Sequence, residues 1–191
     1  MPSSADPLDE ALTAATAQIL SAVARVGVPA PVVLLDGRSG AGKTSLAARL
    51  ARAWTSGDVQ VLALDSVYPG WDGLARGAEI VRGGVLVPHR DGVAGRWNRW
   101  DWARDEPAEE HVIDPARPLI VEGSGVLTRA SAELADVTVW VDAPDDERRE
   151  RALERDGDTY RPHWQQWAAQ EDAHLASDHP RDLADIVISL P

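Results

Sequence analysis

The chain has 191 residues, 44% of them hydrophobic and 26% charged, a composition typical of a folded globular protein rather than a disordered one. The net charge of −12 argues against a general nucleic-acid or anionic-membrane binder, since either needs surplus positive charge to meet phosphates. Cysteine is absent, which excludes disulfides and thiolate chemistry. The chain starts with acidic residues where a secretory signal is basic, and no apolar run approaches the ~20 residues of a membrane span. We therefore expect a cytoplasmic enzyme or binding protein.

The predicted elements alternate between helices and strands along the chain. Apolar residues recur at helical spacing from Asp6 to Val26, which makes residues 1–26 an N-terminal helical region. Further helices are predicted at 44–54, 72–81, 128–134, 145–155 and 163–176. Short, continuously apolar runs predict buried strands at 32–36, 59–64, 119–121, 137–141 and 186–188. Strands separated by helices imply parallel pairing, so the predicted fold is α/β, a three-layer α/β/α sandwich with a central parallel sheet.

The middle of the chain is different, because residues 65–111 are rich in Gly, Arg and Trp and only weakly periodic. We interpret residues 82–110 as an irregular excursion from the sandwich that serves function. No repeat, low-complexity block or Gly/Ser-rich linker divides the sequence. Residues 1–191 are therefore predicted to form a single domain.

A glycine-rich segment after the first predicted strand satisfies the pattern G-x-x-x-x-G-K-[ST]. Its glycines allow successive backbone N–H groups to point at a bound phosphate, and the following helix adds its positive N-terminal end. Lys43, the only lysine among 19 basic residues, would reach the β- and γ-phosphates, and the Thr44 hydroxyl would ligate Mg²⁺. This predicts a site for a nucleoside triphosphate and Mg²⁺ on the segment Gly37, Arg38, Ser39, Gly40, Ala41, Gly42, Lys43, Thr44 and Ser45.

Two carboxylates follow other predicted strands, at the edge where parallel sheets bind ligands. Glu122 ends a buried-type strand and is a second candidate for the metal site, beside Thr44; the alternative is an ordinary strand-end acid that faces solvent. Asp65 could accept a proton from an attacking hydroxyl. Alternatively, Asp65 forms a turn or belongs to the magnesium shell.

The order of the motifs DGRSGAGKTS, LDSVY, LIVEG and VDAPDDERRERALERDG resembles the uridine–cytidine kinase and pantothenate kinase branch of the P-loop kinases. The matched motifs lie between residues 36 and 156. In that branch the aspartate of Asp-Ser-x-Tyr is the catalytic base and the strand-end Glu assists the metal, roles that this resemblance gives to Asp65 and Glu122. Tyr68 belongs to the same motif and is a candidate acceptor contact.

The resemblance also implies an arginine-rich lid within residues 145–160. Arg148, Arg151 and Arg155 would clamp the transferred phosphate and count as catalytic residues. The alternative is a solvated helix whose acids and arginines pair along its surface. Gly157, between two aspartates, would provide a turn on which such a lid opens.

The region that reads the nucleoside in that branch does not align with residues 88–102 of this chain. Three tryptophans and two arginines fall within residues 96–102 instead. Trp and Arg offer flat stacking surfaces and fixed donors, so Arg96, Arg99 and Trp100 are candidates for the acceptor pocket. The alternative is that the tryptophans fix the excursion to the core.

Other prominent residues are assigned to packing or to nothing. Trp164, Trp167 and His174 share a helical face and are interpreted as core contacts rather than ligands. The remaining histidines show no metal-ligand spacing with one another.

The sequence as a whole predicts an ATP- and Mg²⁺-dependent kinase that phosphorylates a hydroxyl of a small molecule, with a nucleoside as the first acceptor to test. A nucleoside monophosphate kinase is the alternative within the class, and Arg90, Arg96 and Arg99 keep it open. A regulatory ATP-binding protein or an ATPase is the alternative outside it. A guanine-reading Asn/Thr-Lys-x-Asp motif is absent, because Lys43 is the sole lysine.

Overall fold

The computed structural model describes residues 6–55 and 57–191. Its strands are β1 (Val32–Asp36), β2 (Gln60–Ala63), β3 (Gly95–Asp101), β4 (Glu106–Ile113), β5 (Leu119–Glu122), β6 (Val137–Asp142) and β7 (Ile186–Ser189). Its helices are α1 (Pro7–Val26), α2 (Lys43–Ala53), α3 (Leu74–Val81), α4 (Val87–Arg90), α5 (Arg129–Ala132), α6 (Asp145–Tyr160), α7 (Trp164–Asp178) and α8 (Pro180–Leu183). The predicted elements of the sandwich are present, and their ends are shifted by a few residues.

Five strands form one parallel sheet in the order β2-β5-β1-β6-β7. β1 lies in the middle, and all five of its residues are buried because helices cover both faces of the sheet. Successive side chains of a strand point to opposite faces, so Val32 and Leu34 enter one core while Val33 and Leu35 enter the other. The three-layer α/β/α prediction is confirmed.

The two helical layers are formed by different parts of the chain. α1 and α2 cover one face of the sheet and pack with Leu12, Ile19, Leu46 and Leu50. The other face is covered by elements from the middle and end of the chain, including α3 and α7. The carboxyl ends of β1, β2 and β5 meet at one edge, where the segments that follow them are brought together.

The middle segment, residues 82–110, corrects the prediction of an irregular excursion. A π-helical turn at Arg82–Leu86 joins α3 to α4, and β3 and β4 then form an antiparallel hairpin apart from the main sheet. The hairpin was not recognised because polar and half-exposed side chains occupy both of its faces: β4 shows no regular alternation of buried and exposed residues, and the alternation of β3 ends at Arg99. Trp97 packs on the core and stacks on His111 with 4.6 Å between ring centroids.

The last helices are longer than the sequence indicated. α6 continues through Tyr160, and Gly157 within it has φ 54° and ψ −133°, so the helix axis breaks where a turn was predicted.

In the part of the chain that the structure describes, no helix combines the length and apolarity needed to cross a membrane.

Candidate functional site

A cavity of about 520 Å³ opens at the carboxyl edge of the sheet. Its walls come from the glycine-rich loop after β1, the turn after β2, the hairpin strand β3, the end of β5, and helices α6 and α7. Ligand crevices of parallel α/β sheets lie at this edge. The cavity therefore lies where a ligand of this fold class would bind.

The glycine-rich loop folds tightly between β1 and α2. Gly40 has φ 78°, and a Cβ atom at this position would overlap the carbonyl oxygen of Arg148. Only glycine therefore allows α6 to pack this closely on the loop. Gly42, at φ 100°, turns the chain into α2, so the N-terminus of that helix lies at the loop. Ser39 and Gly40 line the cavity.

Lys43 lies across the loop and is 7% exposed. Its Nζ donates to the carbonyl oxygens of Gly37, at 2.7 Å, and Arg38, at 3.0 Å, and to Ser124 Oγ at 3.2 Å. These acceptors are two carbonyls and a hydroxyl rather than a carboxylate. The ammonium charge therefore remains available to an anion in the cavity, which Lys43 lines.

The remaining loop residues take different positions. The side chain of Arg38 turns away from the cavity and pairs with Glu171 and Asp172 of α7. Ala41 is buried in the core on the α1–α2 side of the sheet, and Ser45 is exposed in the first turn of α2.

Thr44 and Glu122 meet at the base of the cavity, where Thr44 Oγ1 donates to Glu122 Oε1 at 2.9 Å. Glu122 is 4% exposed, so it is not a solvent-facing strand end. Burial raises its pKa because it disfavours the charged carboxylate, and the charge of Lys43 opposes this. Among the described residues, no group of three or more His, Cys, Asp or Glu side chains could hold a metal by itself.

Asp65 lines the same cavity as this pair and lies in a 3₁₀ turn at Leu64–Ser66 that directly follows β2. Its side chain is 64% exposed, and its Oδ2 is 3.9 Å from Nη2 of Arg155. The indole Nε1 of Trp102 donates to the backbone oxygen of Asp65 at 2.8 Å. The hairpin therefore holds the backbone of the turn that carries this carboxylate.

Of the three arginines in the predicted lid, the structure brings only Arg155 to the cavity. Arg148 is buried against the outer side of the glycine-rich loop, where Nη1 donates to Ser39 O at 3.0 Å and Nη2 pairs with Asp145. Arg151 donates to Pro191 O at 2.9 Å. The expectation of a three-arginine clamp is corrected on geometric grounds: α6 begins against the loop, so its early turns face the loop and the last strand.

The structure places some of the candidate acceptor residues at the cavity and one of them outside it. Arg99 and Trp100 both line the cavity, because a bulge between Asn98 and Trp100 breaks the alternation of the strand. Arg96 lies outside the cavity and pairs with Glu110 on the exposed side of the hairpin. This corrects its placement in an acceptor pocket.

Arg99 is not a free cation, since it makes two hydrogen bonds to Glu109, at 2.6 and 3.0 Å. These bonds lower the pKa of Glu109 to about 2, so the pair stays ionised at neutral pH. Tyr68, the third acceptor candidate in the cavity wall, is buried and donates its hydroxyl to Ser124 O at 2.7 Å.

An aromatic wall, which the sequence analysis did not identify, forms the side of the cavity near Asp65. Trp71 lies at its centre, stacked on His163 at 4.2 Å and against Trp102 at 4.9 Å between ring centroids. Tyr160 and Trp167 also belong to the wall and line the cavity. Trp167 is a core contact as predicted, yet it has this second role. The only local signal for this wall in the sequence was Trp71, which follows soon after the end of β2.

A buried polar network behind the loop was also missed. The carboxylate of Asp36, at the end of β1, accepts from the backbone N–H groups of Gly37, Gly125 and Leu127 at 2.6–2.9 Å. It also faces His174 Nε2 at 3.0 Å. Asp36 directly precedes the glycine-rich motif. A charged residue at the end of a buried strand was the sequence signal that could have indicated this network.

No family model matches the chain, and a search of curated proteins finds no match. Solved structures do resemble it. A possible uridine kinase from Bacillus stearothermophilus has a TM-score of 0.69 at 18% identity, with 95% of this chain and 98% of that one covered. A candidate fructose transport system kinase from Silicibacter sp. TM1040 has a TM-score of 0.62 at 20% identity, with coverage of 90% and 98%. The chain has the fold of these proteins, which is the P-loop kinase fold expected from the resemblance.

Proposed function

We propose that the chain is an ATP- and Mg²⁺-dependent kinase that phosphorylates a hydroxyl group of a small molecule. The observation that carries this proposal is the arrangement of one cavity. The glycine-rich loop, with the buried Lys43, and the exposed carboxylate of Asp65 line the same cavity.

The loop fits a triphosphate. Lys43 and the N-terminus of α2 provide positive charge, and the polar partners of Lys43 are neutral oxygens that phosphate oxygens can replace. The loop's backbone amides would hold the β- and γ-phosphates, as in other phosphate-binding loops.

Thr44 and Glu122 would hold Mg²⁺. Mg²⁺ is commonly bound by one or two protein oxygens together with phosphates and waters, which fits a site of only two protein ligands. When bound, the ion neutralises charge on the phosphates. Its positive charge also favours the ionised form of Glu122, against the effect of burial.

Asp65 would orient the acceptor hydroxyl and take its proton. In the transfer, the hydroxyl oxygen forms a bond to the γ-phosphorus, the bond from that phosphorus to the β–γ bridging oxygen breaks, and ADP leaves. The hydroxyl proton passes to the Asp65 carboxylate, which is exposed and 3.9 Å from a cationic neighbour. Arg155 would stabilise negative charge on the transferred group.

The acceptor is best sought first among nucleoside-like molecules, because the aromatic wall beside Asp65 suits a flat ring. A nucleoside monophosphate acceptor has less support. Arg96 lies outside the cavity, Arg99 is paired with Glu109, and Arg90 donates to Glu133 O. A second phosphate would therefore meet few uncommitted cations.

The test is a coupled ADP-release screen with Mg²⁺ and ATP across nucleosides, nucleotides, vitamins and sugars. Lys43→Ala serves as the blank, and calorimetry measures MgATP binding by both proteins. We expect binding by the wild type, loss of binding in the variant, and acceptor-dependent ADP release with at least one hydroxyl compound. ATP binding with the same low turnover for every acceptor would favour the regulatory or ATPase alternative instead.

A further inference from the structure

One face of α7 contacts both the cavity and the loop. Residues 164, 167, 171 and 174 follow the spacing of a single helical face. Trp167 lines the cavity, Glu171 meets the glycine-rich loop, and His174 meets Asp36 at the end of β1. The helix thus contacts the first residues of the loop and the strand end before it.

Glu171 is the central contact of this face, and it is only 3% exposed. Its Oε1 accepts from the backbone N–H of Ser39 at 2.6 Å and from Ser124 Oγ at 3.0 Å. Its Oε2 accepts from Nε of Arg38 at 3.2 Å. Both oxygens of this buried carboxylate are used, and two of their three partners belong to the loop itself.

Glu171 is connected to the ammonium group of the loop through one hydroxyl. Ser124 Oγ contacts Glu171 Oε1 and also accepts from Lys43 Nζ at 3.2 Å. Moving the Glu171 carboxylate would therefore free the Ser39 amide and remove one of the two acceptors that orient the Ser124 hydroxyl beside Lys43, the other being Gly37 O at 3.0 Å.

A negative charge behind an anion-binding loop opposes phosphate binding electrostatically. Its presence at Glu171 therefore needs another explanation. The ion pair with Arg38, which Asp172 shares, offsets part of that charge and keeps the guanidinium out of the cavity wall. Electrostatics alone would favour a loop without this pair. The carboxylate is therefore better explained by the shape that it gives to the backbone.

We propose that Glu171 is a positioning residue for the phosphate loop. Its carboxylate fixes the Ser39 amide and, through Ser124, the side chain of Lys43, so that the loop is already shaped before a nucleotide arrives. This inference rests on the proposed function, in which the loop binds the phosphates of ATP.

The test compares two variants that separate charge from reach. Glu171→Asp keeps the charge, but its carboxylate is one methylene further from Ser39 N. Glu171→Gln loses the charge and keeps an oxygen that can accept from Ser39 N. Asp172→Asn is the matched control, because Asp172 pairs with the same Arg38 but is 64% exposed and does not bond to the loop backbone.

We expect calorimetry with MgATP to give a Kd at least tenfold higher for Glu171→Asp. The Kd should rise less in Glu171→Gln than in Glu171→Asp, because the glutamine keeps the acceptor for Ser39 N and loses only the acceptor for Arg38 Nε, and it should stay within threefold of the wild type in Asp172→Asn. Hydrogen exchange of the Ser39 amide, measured without nucleotide, should be at least tenfold faster in Glu171→Asp than in the other proteins.

A Kd that rises more in Glu171→Gln than in Glu171→Asp would assign the role to charge and overturn the inference. So would wild-type affinity and Ser39 protection in Glu171→Asp. If the wild type binds no MgATP, the proposed function fails, and the Ser39 exchange rates still decide whether Glu171 anchors the loop.

Discussion

The two sides of the cavity are built in different ways. The phosphate-loop side is one segment of nine consecutive residues, in which backbone amides are proposed to act with the side chains of Lys43 and Thr44, and the buried carboxylates of Asp36 and Glu171 hold it from behind. The acceptor side consists of side chains from the turn after β2, the hairpin and helices α6 and α7. A backbone site binds what is common to all nucleotides, whereas a side-chain site can change residue by residue. The acceptor side is therefore where the specificity of this chain is expected to lie.

The largest effect that would test this division is at Asp65. We expect Asp65→Asn to lower kcat by about 10²- to 10⁴-fold, because the amide cannot take a proton, and to leave the Kd for MgATP within threefold. The measurements are steady-state kinetics with the best acceptor of the screen and calorimetry with ATP. Unaltered turnover would remove Asp65 from the mechanism and leave it as a turn residue.

The next effect concerns Arg155, the arginine of α6 that lines the cavity. We expect Arg155→Ala to lower kcat between about tenfold and 10³-fold, less than for an unpaired arginine since Asp156 shares its charge. Arg96→Ala is the matched control, because Arg96 is an exposed, ion-paired arginine outside the cavity. Equal losses in the two variants would contradict the geometric distinction drawn between them.

A smaller effect is expected from the aromatic wall. Trp102→Ala should raise the KM for the acceptor about fivefold, since an aromatic contact contributes on the order of 1 kcal/mol. Trp102→Phe keeps a ring but loses the N–H that holds Asp65 O, so it should raise KM less and lower kcat instead. If KM is unchanged in both variants, the wall does not bind the acceptor.

The smallest effect is expected on the free energy of unfolding, through His174 behind the phosphate loop. Burial lowers the pKa of His174, but its hydrogen bond to Asp36 and the charges of Asp36 and Asp178 outweigh burial, so the pKa lies above 6.5. A histidine whose pKa is higher in the folded than in the unfolded state contributes its full stabilisation at pH values below its unfolded-state pKa. This contribution is lost as the pH rises through the folded-state pKa. We expect His174→Gln to lower the free energy of unfolding more at about pH 6 than at about pH 9.

Urea unfolding at the two pH values measures this difference. His179→Asn is the control: His179 is exposed and has φ 52°, a conformation that asparagine tolerates. A destabilisation by His174→Gln that is the same at both pH values would mean that the imidazole contributes packing alone.

The phosphate-loop side was predictable from sequence because its signal is local. Lys43 and Thr44 follow one strand by a fixed spacing and begin one helix, and the buried strand β5 places Glu122 beside them. The acceptor side was not predictable, because Trp71 and His163 are far apart in the chain and meet only after folding. A helical charge pattern likewise could not reveal that Arg148 faces the loop whereas Arg155 faces the cavity.

The single lysine has a practical consequence. Apart from an α-amino group, Lys43 is the one primary amine that the chain offers to acylating reagents, and it is enclosed by hydrogen bonds at the loop. Chemical modification by an amine-directed probe would therefore report on this position without mutagenesis. Digestion at arginine would place the label in the peptide 39–49, where mass spectrometry can read it.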